Sequence, residues 1–210
     1  MKITKEKAAE NRAALIRAAG KLICERGFDG VGVAEISKAA GFTHGALYAQ
    51  FASKEALAGE ALTAGMQRAG AHLASLVEGA SSPLDVQLDY YLSDEHRDNI
   101  AAGCPMAAAS SEIARQAEDI SARYSTGLEQ MVDTIEAALG EGPLKAGKRQ
   151  RALAITASMI GGVAVARATA KSSPELSDEI LKAVRRVLAE VGGKRPSPAA
   201  RTRRSAPSSR

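Results

Sequence analysis

The chain has 210 residues, is rich in Ala, Leu, Glu and Arg, holds only 3% aromatic residues and lacks Trp. Few β-branched and aromatic residues argue against a large sheet, and this composition favours helices, so an all-α protein of one or two domains is expected. The net charge of +4 is uneven. Residues 194–210 carry Lys194, Arg195, Arg201, Arg203, Arg204 and Arg210 with no acid, whereas residues 61–193 hold thirteen basic against seventeen acidic side chains. Basic ends on a mildly acidic body suit nucleic-acid contact at one end without proving it. Two cysteines, Cys24 and Cys104, make no disulfide framework. The polar start of the chain shows neither a signal peptide nor a membrane span, and a cytoplasmic protein is expected.

Residues 6–26 read as an amphipathic helix with Leu15, Ile16, Ala19, Leu22 and Ile23 on one face. Gly27 stands at its C-cap and Phe28 follows as an apolar lid. Two short helices come next, Val33–Ala40 and Thr43–Gln50, around a Gly41-Phe42 corner, with Thr43 as the expected hydroxyl N-cap of the second. A longer helix opens at Ser53-Lys54-Glu55 and runs toward Gly79. Its internal Gly59, Gly65 and Gly70 predict a bend or a close approach of another helix. Ser82-Pro83 starts a helix expected to run to about His96, and Cys104-Pro105 starts another to about Gln116. A helix from about Ile120 to Leu139 ends at the Gly140-Glu141-Gly142-Pro143 cluster. The last two helices span Lys148–Ala170 and Pro174–Val191. The first is so apolar that it must be covered on more than one side, and Ala157, Ser158, Gly161 and Gly162 would admit a partner helix. Residues 194–210 lack periodicity and are expected to be a disordered basic tail.

The stretch Ala14 to Leu57, ALIRAAGKLICERGFDGVGVAEISKAAGFTHGALYAQFASKEAL, resembles the DNA-binding domain of the TetR family of transcriptional regulators. The Gly-Phe after the first helix, Val-x-x-Ile before Ala-Ala-Gly, Leu-Tyr-x-x-Phe and Ser-Lys-Glu-x-Leu all fall in that family's register. The run His96 to Gln116 is similar to a ligand-domain pattern in one branch of the family, and the last two helices are similar to its dimerisation helices. The resemblance implies a three-helix helix-turn-helix domain over 1–53 and a larger helical ligand-binding and dimerisation domain over 54–193. It also implies a homodimer joined through residues 148–170 and 174–191, which binds palindromic operator DNA as a repressor until a small-molecule effector of unknown identity releases it. Neither a cofactor nor a membrane enters this reading.

Carried over residue by residue, the resemblance places Thr43, His44, Gly45 and Ala46 nearest the base edges and Tyr48 on a phosphate. Gln50 would touch a base or phosphate, and Lys54 would bind phosphate. The sequence departs from the family at Val31 and Gly32, where Thr or Ser is frequent, and at Ala34, where a polar or basic residue is common. Affinity would then lean on Lys54, on Lys2, Lys5 and Lys7, and on the tail.

Beyond the reading head, Cys104 is a candidate redox or electrophile sensor, because a thiol at a helix N-terminus meets unpaired N–H groups, with Arg97 a possible helper. Tyr90 and Met106 join it as candidate ligand contacts, and Tyr91 is a second hydroxyl in the same stretch. The bland alternative makes Cys104 a small cap residue without chemistry, and Cys24 a core residue. Two other functional classes compete. A thiol enzyme would need His96 as the base for Cys104, and a purely structural helical module would have no use for the Thr43–Lys54 constellation. An activator remains open beside the repressor, and His96 with Cys104 makes only a thin metal pair.

Overall fold

The computed structural model describes residues 4–141 and 147–193, and the expectation for the basic tail at 194–210 lies outside them. All ten regular elements in the described residues are α-helices, which bears out the all-α reading. They are α1 (Lys5–Arg26), α2 (Val33–Ala39), α3 (His44–Tyr48), α4 (Lys54–Val77), α5 (Pro83–Tyr91), α6 (Asp94–Asp98), α7 (Pro105–Ile113), α8 (Glu118–Ala138), α9 (Lys148–Ala170) and α10 (Pro174–Gly192).

Helix α1 starts where the Thr4 hydroxyl accepts the Lys7 N–H and stops where Gly27 takes φ 80°, a value that costs a Cβ-bearing residue strain. Leu15, Ala19, Leu22 and Ile23 bury the face that packs on α4. Phe28, Val31, Ile36, Leu47 and Phe51 close a small core beneath α2 and α3. Gly41, at φ 78°, makes the corner between these two short helices, as its place in the sequence predicts. Arg12 stacks over the Phe51 ring, 4.5 Å from its centroid, and also pairs with Glu60 of α4. The first helix is thereby tied to the entrance of the fourth.

Helix α4 runs unbroken for 24 residues, so two of its glycines serve close approach rather than a bend. A Cβ on Gly65 would sit 2.6 Å from Pro105 Cγ at the start of α7, and one on Gly59 would meet the Arg123 side chain at 3.1 Å. Gly70 faces open space.

The predicted helix from Pro83 to His96 is two helices. The Ser93 hydroxyl donates to Tyr90 O and accepts the His96 N–H, so it ends one helix and caps the next. Thr43 and Cys104 stand at the N-cap positions where the sequence puts them, but the hydroxyl cap bond expected of Thr43 is absent. The Cys104 side chain makes no cap bond either.

Helices α9 and α10 form the back of the molecule. Ala152, Ile155, Met159, Val163 and Ala166 of α9 are fully buried. By length and composition α9 could cross a membrane, yet this face is packed in the protein core. Arg151 is also buried, and its guanidinium donates to the carbonyls of Gly140, Val191 and Gly192, joining the start of α9 to the end of α10 and to the residue just after α8. Gly162 belongs to this packing, because its missing Cβ leaves room for Val184 of α10. It is therefore not part of an outward stripe, unlike Gly161, which has nothing within 4 Å.

Candidate nucleic-acid interface and an internal cavity

The fold presents α3 on the surface. Leu47 is fully buried and anchors it, while Thr43, His44, Gly45 and Tyr48 are exposed and Ala46 and Gln50 are half-buried. Tyr48 is half exposed, and its ring lies 5.3 Å from that of His44. With its hydroxyl uncommitted at the N-cap, Thr43 is free to meet a ligand. Lys54 opens α4 just after Ser53, whose hydroxyl accepts the Ala56 N–H. Helix α2 begins at Gly32, where the Glu35 carboxylate accepts the Gly32 N–H at 3.1 Å. That bond and Arg26 hold the Glu35 carboxyl below its usual range. Val31 is buried in the small core, so a hydroxyl at this position would gain no access to a phosphate. Lys7 pairs with Glu10 at 3.0 Å, and Lys2 lies outside the described residues.

Behind the reading head lies a cavity of about 630 Å³, within the usual range for a small-molecule site. Its walls come from α1 (Ile23, Cys24), α4 (Met66), α5 (Tyr90, Tyr91), the turn before α7 (Gly103, Cys104), α7 itself (Met106) and α8 (Met131). All three candidate ligand contacts, Tyr90, Cys104 and Met106, are brought together there. Met159 is not, being fully buried in α9. Gly127 of α8 opens space for the Met66 and Met106 tips, since a Cβ on it would overlap the Met66 sulfur.

The polar chemistry at the back of the cavity is ordered by His96. Its Nδ1 lies 2.7 Å from Tyr91 O and its Nε2 is 3.1 Å from the Cys104 backbone nitrogen. This pair of partners fixes a neutral tautomer, with Nδ1–H donating to the carbonyl and Nε2 accepting the amide N–H. Burial lowers the His96 pKa in the same direction. Both ring nitrogens are thus committed to backbone, which leaves the imidazole no free nitrogen to act as the base that a thiol enzyme would require. The same commitment leaves His96 no lone pair to share with Cys104 around a metal.

Arg97, the expected helper of Cys104, instead pairs with Asp98 and Asp178 and donates to Ser177. The cation near the thiol is Arg167 of α9. It donates to the carbonyls of His96 (2.9 Å) and Arg97 (3.0 Å), its third nitrogen is buried without a partner, and burial lowers its pKa. Cys24 faces the same space. Burial, then the neighbouring Cys104, pushes its thiol up to about 11, so it stays protonated at neutral pH. Tyr91 is buried, and burial raises its hydroxyl well above the ordinary range. Cys104 lies beside that hydroxyl without a geometry that satisfies it.

One contact joins the cavity wall to the reading head. Glu112, near the end of α7, accepts the Phe28 N–H at 2.6 Å. A Cβ on Gly27 would overlap its carboxylate, so the glycine makes the seat.

Residues 15–61, which hold α1 to α3 and the start of α4, match the family of bacterial regulatory proteins of the tetR type. The match is confined to this N-terminal segment, which is what resembles the bacterial regulators of that family. The chain's fold agrees along nearly the whole length of solved TetR-type structures. The reduced form of Escherichia coli NemR superposes with a TM-score of 0.73 at 24% identity, over 90% of this chain and 98% of that one. A TetR-family regulator from Agrobacterium tumefaciens gives 0.70 at 22%, over 89% and 100%. A TetR regulator from Chloroflexus aurantiacus gives 0.72 at 22%, over 88% and 94%. No curated protein sequence matches the chain. In this chain Glu112, Arg167 and the backbone role of His96 were invisible in the linear pattern. Only the Ser93-Asp94-Glu95 cap signal foreshadowed the break that places His96.

Proposed function

We propose that this chain is a TetR-family regulator, a homodimeric repressor of palindromic operator DNA, released when a small molecule enters the cavity behind α1. Residues 1–53 serve as its DNA-binding domain and 54–193 as its ligand-binding and dimerisation domain. Thr43, His44, Gly45 and Ala46 read bases, Tyr48 and Lys54 fix the register on phosphates, and Gln50 touches a base or a phosphate. The observation that carries this reading is the shared wall, because α1 of the reading head and α4, α5, α7 and α8 line one cavity. A ligand that prefers a wider separation of these walls shifts the reading heads and weakens DNA binding by its differential affinity.

Dimerisation through residues 148–170 and 174–191 is supported by their outer surfaces. Leu153 and Val165 on α9 and Leu176 and Val187 on α10 are exposed at 42%, 52%, 45% and 52%. Gly161 lies on the same side of α9 as Val165, its Cα bare to the outside. Gly161→Glu would convert a dimer to monomers in sedimentation, and an unchanged dimer would move the interface elsewhere.

The deciding experiment selects bound sequences from random duplex DNA with the full chain, then measures affinity with non-specific competitor. A palindromic consensus, bound more weakly but with the same preference by Lys54→Ala, supports the reading. Retention of DNA with no sequence preference would sink it.

A second reading, a thiol sensor at Cys104, is favoured by one observation. Cys104 lines the cavity beside the unsatisfied Tyr91 hydroxyl and near Arg167. If peroxide or an electrophile releases DNA from the wild type and equally from Cys104→Ser, this second reading fails.

A further inference from the structure

Charge around the cavity is one-sided. Arg17 and Lys21 of α1 and Arg68 of α4 line it, and no Asp or Glu does. None of the three makes an ion pair among the described residues, whereas Arg12, Arg26, Arg97, Arg149 and Arg185 all hold carboxylates. The Arg68 guanidinium lies along the seam between the two helices. Its Nη2 is 3.8 Å from where a Cβ on Gly20 would start and 3.7 Å from one on Gly65. It is also close enough to Cys24 to act on that thiol. At the back, Arg167 packs behind Gly103, and one of its nitrogens lacks a partner. Between the cations the lining is apolar and thioether-rich, with Leu62, Met66, Leu73, Met106 and Met131. Tyr91 adds a buried hydroxyl that nothing among the described residues satisfies.

Unpaired cations in a folded protein are ordinarily solvated and point outward. Arg17, Lys21 and Arg68 are themselves exposed, but all three line one cavity that no Asp or Glu among the described residues lines, and such a one-sided rim favours negative charge. A buried hydroxyl without a partner costs stability unless a ligand supplies an acceptor. We infer that the cavity takes an amphipathic organic anion, a carboxylate, sulfonate or phosphate head carried on an apolar body. The head lies at the Arg17, Lys21 and Arg68 side and the body among the methionines. This rests on the reading of the cavity as an effector site, and it narrows the effector to one chemical class.

The test compares two fluorescent probes of one shape, anilinonaphthalenesulfonate and its uncharged parent N-phenylnaphthylamine, titrated against the full-length protein without DNA. The sulfonate should bind at one site per chain, about tenfold tighter than the parent, as expected for charge-assisted hydrogen bonds. In Arg17→Gln/Arg68→Gln the sulfonate should lose most of that advantage while the neutral probe binds as before. Equal or weaker binding of the sulfonate by the wild type overturns the inference, as does a preference that survives in the double variant. If the double variant loses both probes, the wild type decides by salt. A preference that fails to shrink between about 50 and 500 mM NaCl, where screening becomes strong, also overturns it. Release of DNA by the sulfonate is scored separately. Binding without release leaves the ligand class standing and counts against the effector reading, whereas release without charge preference does the reverse.

Discussion

Glu112 is the most exacting place to test how the cavity reaches the reading head. Its carboxylate, half-buried, accepts the Phe28 N–H at 2.6 Å and occupies the notch that Gly27 leaves. A hydrogen bond to a charged group contributes about 1.5–3 kcal/mol. Because this carboxylate sits at the C-terminal end of α1, the helix dipole opposes it by about 0.3–1 kcal/mol. Removing it with Glu112→Ala should therefore destabilise the protein by about 1–2 kcal/mol. Glu112→Gln keeps an acceptor and sheds the unfavourable charge, so it should cost less than about 1 kcal/mol. Urea denaturation of the full chain measures both. The functional readout is coupling: hydrogen exchange at residues 28–31 on binding a cavity probe should change in the wild type and be unaffected in Glu112→Ala. Equal stabilities for wild type and Glu112→Ala, or an exchange response that persists in the variant, would refute the idea that α7 holds α1 through this bond.

Three further outcomes are expected. Lys54→Ala and Tyr48→Phe should each weaken DNA binding similarly on all sequences, and Lys54→Ala should lower the slope of log affinity against log salt by about one, read by anisotropy over a salt series. His96 has a folded pKa depressed below its ordinary value of 6.5. The unfolded chain therefore binds the extra proton first, and stability should fall as pH drops below about 6.5, while no His96 effect is present above that value. His96→Gln should flatten that acid limb in thermal melts taken from pH 7.5 to 5. Gly65→Ala gains about 1 kcal/mol of helix propensity, but its Cβ would lie 2.6 Å from the rigid Pro105 ring. Overpacking of about 1–3 kcal/mol should outweigh the gain, so a variant melting above the wild type would contradict the close α4–α7 approach.

Local chemistry made much of the helix order legible before any coordinates. Helix ends follow from short-range signals such as Gly27 with positive φ, Pro83, Pro105 and Pro174 in first turns, and Gly193. The Lys148–Ala170 helix has the same bounds in sequence and structure. The reading head was legible for a similar reason, since its core residues lie within forty positions of one another. Where the prediction failed, a side chain had chosen a partner that spacing cannot rank. Ser93 used both faces of its hydroxyl and split one expected helix into two.

The sequence by itself settled the helical class and the order of most helices, because each depends on neighbours three or four positions apart, and its N-terminal motifs gave the resemblance that the family match at 15–61 bears out. Only the tertiary structure decided which distant residues share a space. It gave His96 to the Cys104 amide, turned Arg97 away and brought Arg167 near from 63 positions further on, and set Glu112 under Phe28 across 84 positions. It also gave Gly161 and Gly162, adjacent in sequence on α9, different surroundings, the first open and the second against Val184. The reason is physical: helix ends obey local hydrogen bonding, while a cavity is what several packed helices leave unfilled, and its lining is set by their mutual angles rather than by any one stretch of chain.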